Sequence, residues 1–161
     1  MSRSTAEVIG ILLAAGAPRR LMLRAPWPIH QALKEMAEQA ATCGMDHLLP
    51  DGLVFAPDPD VGLAAVGVGV GLHELAINGV LCFAGETWEA RLQVRPEALR
   101  PYLKLLMKLD PMEAAFMHQV AETWIARSRI AEKNWVSVRE SLARIRKSAT
   151  QRRQAAVGAT R

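Results

Sequence analysis

The sequence predicts an α+β fold: a small antiparallel β-meander packed with helices, continued by a long C-terminal basic amphipathic helix. Three observations carry that reading. Between Leu48 and Val94, short apolar runs alternate with Gly, Pro, Asn and Asp turn signals. Residues 29–43, before this stretch, and the segment after Pro96 both repeat apolar side chains at helical spacing. Beyond Asp110-Pro111, Met117, Trp124, Ala131, Val138 and Ile145 recur every seven residues, with Ala121, Ser128, Trp135, Leu142 and Ala149 four positions after each. That is the a/d seam of a helix that packs along one edge, broken only by Ser128.

The elements follow in order. Ser4 or Thr5 caps a first helix running to about Ala15, which Gly16 and Pro18 end. The apolar run Val8 to Leu13 also suits a buried strand, and its Ala and Leu content favours helix. Arg20 to Arg24 alternates basic and apolar residues as a short strand, stopped by Pro26 and Pro28. Ile29, Leu33, Met36, Ala37 and Ala40 form one face of a helix that Gly44 terminates.

Leu53 to Ala56 is a short apolar piece between two turns. Val66, Val68, Val70 and Leu72 alternate with Gly67, Gly69 and Gly71, which predicts a strand with one bare face. Asn78-Gly79 between Leu75-Ala76-Ile77 and Val80-Leu81-Cys82-Phe83 predicts a hairpin. Trp88 to Val94 alternates as a further strand with one wet face. Pro96 opens a helix ending at Asp110, and the final helix runs from about Pro111 to Thr150, about 60 Å. The expected organisation is therefore a body over 1–110, the long helix over 111–150, and a basic flexible tail over 151–161.

Half of the 161 residues are hydrophobic and 5% are aromatic. One domain of ordinary size can bury an aliphatic core of that kind without staples. Cys43 and Cys82 are isolated and read as small apolar residues. The apolar start carries Glu7 beside it and lacks a cleavage site, and Val61 to Ala84 is too polar and glycine-rich to span a membrane. The expected location is cytoplasmic, with no membrane partner.

Charge is polarised. Residues 127–161 carry ten basic and two acidic side chains, whereas residues 1–126 carry ten basic and fourteen acidic ones. A basic end on an acidic body suits a polyanion or an acidic protein surface. Arg139, Arg144, Arg146, Lys147, Arg152 and Arg153 are the candidate nucleic-acid contacts, to backbone rather than base edges. Trp124, Trp135, Val138, Leu142 and Ile145 are the candidate interface of a helix too long for its own body.

Leu13-Ala14-Ala15-Gly16-Ala17-Pro18-Arg19-Arg20 resembles the nucleotide-binding signature of MobA-like nucleotidyltransferases. The resemblance implies a strand, a glycine turn at Gly16 around a triphosphate, and Arg20 paired with phosphate. The family lysine falls where this chain has Pro26-Trp27-Pro28, and the metal aspartate where it has Glu86. Arg20 to Pro26 with the following helix is similar to ribbon-helix-helix DNA-binding proteins, which implies that Arg20, Met22 and Arg24 face DNA.

No metal site or cofactor is expected. Glu113, His118 and Glu122 can share a helix face but lack a second ligand pair. His73-Glu74 has no accompanying nucleophile, Asp58 and Asp60 read as turn residues, and Gly67 to Gly71 has the wrong spacing for a dinucleotide loop. The leading expectation is a non-enzymatic accessory or assembly subunit. It joins a protein partner or its own copies through the C-terminal helix and contacts a DNA or RNA backbone. A nucleotide-binding enzyme and a purely protein-binding adaptor are the alternatives.

Overall fold

A single apolar helix forms the centre of the molecule. The computed structural model describes residues 3–18, 20–22, 27–59, 62–84 and 91–158, with side chains described except at 20–22, 27, 84, 135–139 and 152–158. Helix α1 (Thr5–Gly16) starts where Ser4 Oγ accepts from the Glu7 amide at 3.1 Å. It is apolar all round, the pattern of a fully enclosed helix. Val8, Ile9, Ile11, Leu12 and Leu13 have no exposed surface.

Strand β1 (Arg20–Met22) leads to α2 (Trp27–Cys43), whose Ala32, Leu33, Met36 and Ala40 enter the core. A hairpin follows, β2 (Phe55–Asp58) against β3 (Gly62–Ala65), with Phe55 opposite Ala65. Then come α3 (Val68–Ile77), β4 (Leu81–Ala84), β5 (Arg91–Val94), α4 (Arg100–Leu106) and α5 (Pro111–Gly158). The larger sheet is antiparallel in the order β1-β5-β4, with Leu21 opposite Leu92 and Leu81 opposite Val94. Helices α3, α4 and α5 pack around α1, and α2 packs on α5 and β3.

The expected fold class is the observed one, but the glycine-rich stretch is helix, not strand. Val68, Leu72 and Leu75 turn into the core at helical spacing, while Val70 and Ile77 stay exposed. Gly71 is what permits this packing: a Cβ there would lie 3.0 Å from the Ala6 amide nitrogen of α1. Asn78-Gly79 is correspondingly a helix stop and not a hairpin. Gly79, at φ +72°, donates to the Ala76 carbonyl, and the Val80 amide donates to Leu75 at 2.9 Å. That pair of bonds is a Schellman cap, which needs glycine just as the expected turn did.

The small hairpin is fastened to α2 by a histidine. His30 Nδ1 accepts from the Ala65 amide at 2.9 Å, so this nitrogen must be unprotonated. Burial pushes the His30 pKa below its ordinary 6.5, and Asp58 opposes that shift. A histidine held below its unfolded value stabilises the fold fully above that value, and the stability is lost as pH falls through it. Denaturant titrations between about pH 7.5 and 5.5 should show a loss on the order of 1 kcal/mol. That loss should be smaller in His30→Asn, which accepts without titrating.

Helix α5 begins with a reciprocal cap. Asp110 Oδ1 accepts from the Met112 and Glu113 amides at 2.8 and 2.9 Å, and Glu113 Oε2 accepts from the Asp110 amide at 3.0 Å. The helix then runs unbroken for 48 residues, past Thr150 to Gly158. At 1.5 Å per residue that is about 72 Å. Its first half belongs to the body and its second half does not, so Asp110 is no domain boundary. Among the described residues, no helix is long and apolar enough to cross a membrane.

Candidate functional site

The heptad seam of α5 changes environment part-way along. Met117, Ala121, Trp124, Ser128 and Ala131 are all buried against the chain's own α1 and α2, Trp124 to 2% exposure. Ser128 fits among them because its hydroxyl donates to the Trp124 carbonyl at 2.8 Å, so no polar group is left open. Trp124 therefore leaves the expected partner-facing set, since its seam position is already filled in cis. Two ion pairs reinforce this half. Arg127 reaches Glu35 of α2, and Glu132 meets Arg91 of β5 at 3.2 Å. Both are partly exposed, so each adds at most about 1 kcal/mol.

Beyond Glu132 the same seam emerges into solvent. Leu142 is 47% and Ile145 is 64% exposed, and every residue from Glu140 to Gln151 is exposed. The side chains of Trp135 and Val138, the two seam positions between, lie outside the described residues. Leucine and isoleucine at consecutive a/d positions of an exposed helix form an apolar strip with nothing over it in this chain.

The cations lie on the remaining circumference. Arg144, Arg146 and Lys147 are exposed. Arg144 shares the Glu140 carboxylate at 3.8 Å, one turn back on the same helix. Among the described residues, no carboxylate lies within ion-pair distance of Arg146 or Lys147. The side chains of Arg139, Arg152 and Arg153 lie outside the described residues. Their sequence spacing puts Arg139, Arg146 and Arg153 on one stripe.

The nucleotide-binding expectation at Gly16 and Arg20 meets a different geometry. The segment before Gly16 is a helix, not a strand, so the glycine lies at a helix C-terminus. That end presents carbonyl oxygens and partial negative charge, the reverse of a phosphate cradle. Gly16 is needed for packing, since a Cβ there would lie 2.4 Å from Ile125 Cδ1 and 3.2 Å from Ala121 Cβ. Its neighbour Ala17 takes the left-handed conformation, φ +43°, and bonds back to the Leu13 carbonyl at 2.7 Å. The Arg20 side chain lies outside the described residues. The ribbon-helix-helix likeness also lapses, because β1 pairs with β5 of its own chain.

The histidines of the body hold structure together. His118 Nδ1 lies 3.0 Å from the Ala15 carbonyl and donates to it, capping the end of α1 from α5. His47 Nε2 lies 2.5 Å from Glu113 Oε1, joining the loop after α2 to the start of α5. Glu113 and His118, expected to share a face, thus have separate partners. Among the described residues no cluster of His, Cys, Asp and Glu could hold a metal ion. Cys43 and Cys82 are free thiols, and Cys43 is exposed where a buried residue was expected. Comparison with protein-family models, curated proteins and solved structures finds no match to this chain.

Proposed function

We propose that this chain is a non-enzymatic accessory subunit of a protein or nucleoprotein assembly. Its α+β body roots the first half of α5, and the second half contacts a nucleic-acid backbone. The observation that supports this reading is the change along one continuous helix. A seam filled in cis as far as Ala131 reappears uncovered at Leu142 and Ile145, beside exposed Arg144, Arg146 and Lys147. A solvated basic face needs no apolar strip next to it, and an isolated apolar strip needs no cluster of cations. Together they suit a helix that is held by protein and touches phosphate.

Binding of this kind is sequence-tolerant and strongly salt-dependent. Replacing Arg144, Arg146 and Lys147 together by alanine leaves the body intact, because all three are exposed. Fluorescence anisotropy with a short mixed-sequence duplex should then show affinity reduced by about tenfold or more at low salt. The slope of log K against log salt should become shallower by about 2.7, at about 0.9 per lost phosphate contact. An unchanged slope would contradict phosphate contact by these residues and favour an adaptor that docks on acidic protein.

A further inference from the structure

We infer that the uncovered seam of α5 is closed by a second copy of this chain lying antiparallel. Such a pair gathers the arginines of both copies into one phosphate-binding ridge. The inference rests on the reading of α5 just proposed and names its partner. Sterics decide the orientation. The body fills the space in front of the seam as far as Ala131. A second distal helix in parallel register would bring its own body into that same space. Shifting a parallel copy along the axis does not help, because the first half of its seam is already covered by its own α1 and α2. Turned end for end, the second helix lies on the open seam with its body beyond the tip of the first. Each seam is then continuous, filled first by its own body and then by the other copy.

The register follows from the same limits. The segment between Ala131 and Gly158 has its midpoint between Arg144 and Ile145. Antiparallel helices pack a positions against d positions. The layering nearest that midpoint sets Leu142 of one copy opposite Ile145 of the other, and Val138 opposite Ala149. The flanks then differ. The stripe of Arg139, Arg146 and Arg153 faces its own counterpart, while Ser141 and Ser148 face theirs. The arginine flank repels itself in dilute buffer and is relieved when salt or a phosphate backbone neutralises it. Self-association and polyanion binding are therefore linked, each strengthening the other.

Sedimentation of the full chain tests this at about 0.05 and 0.5 M salt, the range over which charge repulsion is screened, with and without a short duplex. The expected result is a dimer favoured by higher salt and by the duplex. Leu142→Ser/Ile145→Ser should weaken association on the order of a hundredfold, from loss of two apolar contacts per copy. Orientation is read by mixing Val138→Cys and Ala149→Cys chains, both carrying Cys43→Ser and Cys82→Ser. Disulfides should form between the two variants and not within either, because like positions lie about 16 Å apart along the axis.

A chain that stays monomeric under every condition overturns the inference, as does a dimer that Leu142→Ser/Ile145→Ser leaves intact. Disulfides between like variants would likewise overturn the antiparallel arrangement. A monomer that still binds duplex with the expected salt slope leaves the phosphate-contact reading standing without it. A dimer weakened by salt and indifferent to duplex would remove the arginine ridge.

Discussion

Trp124→Ala is expected to lower the stability of the folded chain by about 3–5 kcal/mol, the usual cost of emptying a tryptophan site in a packed core. Trp124 is 2% exposed in the core that α5 shares with α1 and α2. The loss should therefore be the same at every protein concentration. Were Trp124 to pack on another chain, the loss would grow on dilution, because subunit association would then carry it. Leu142→Ala, on the same seam but 47% exposed, should change the stability of the single chain by no more than about 0.5 kcal/mol. Denaturant titrations of both variants at two concentrations tenfold apart read the difference directly.

The second large effect lies in α1. Gly10 sits mid-helix, where alanine ordinarily gains about 1 kcal/mol over glycine. Here the gain reverses. A Cβ at residue 10 would stand 2.3 Å from both Cδ1 and Cε1 of Tyr102 on α4, a distance that no such contact tolerates. The ring must swing away, and α1 is packed on its other sides, so Gly10→Ala should cost about 1–3 kcal/mol and Gly10→Val more. Two controls bracket the argument. Gly69 on α3 has nothing within 4 Å of its Cβ position, and Gly69→Ala should stabilise by up to about 1 kcal/mol. Combining Gly10→Ala with Tyr102→Ala should cost less than the two changes summed, by about 1 kcal/mol or more. Additive losses would mean that the close approach of α4 to α1 is not what glycine serves there.

The sequence was most readable where a pattern had one physical solution. Ser4 and Glu7 at the start of α1, Pro28 and Gly44 around α2, and the Asp110-Pro111-Met112-Glu113 cap of α5 each read directly as helix ends, because caps are local chemistry. The seam of α5 was equally plain. What the heptads could not say was where the partner changes, since Trp124 and Leu142 occupy equivalent positions and only the reach of the body distinguishes them. Ser128 looked like a break in that seam and is instead satisfied within its own helix.

The errors came from residues that serve two structures equally. Val-Gly alternation fits a strand with a bare face, and it also fits a short helix whose glycine lies against another helix. Gly71 against the Ala6 amide decided for the second. Asn-Gly suits a two-residue hairpin and a helix stop for the same reason, the ease with which glycine takes positive φ. The Leu-Ala-Ala-Gly string misled in a related way. Small residues let a backbone approach phosphate or let helices approach one another, and here Ile125 fills the space beside Gly16. Arg91 and Arg127 carried no periodic signal, and their pairing with Glu132 and Glu35 emerges only from the tertiary packing.

The reading depends on α5 being one straight rod that leaves the body after Ala131. Spin labels at the exposed Gln119 and Gln151, introduced as cysteines with Cys43→Ser and Cys82→Ser and diluted into unlabelled protein, measure this by pulsed dipolar spectroscopy. A continuous helix gives about 48 Å between the labelled positions. A distance below about 30 Å, too short for a helix that spans the interval at 1.5 Å per residue, would mean that the basic half folds back on the body.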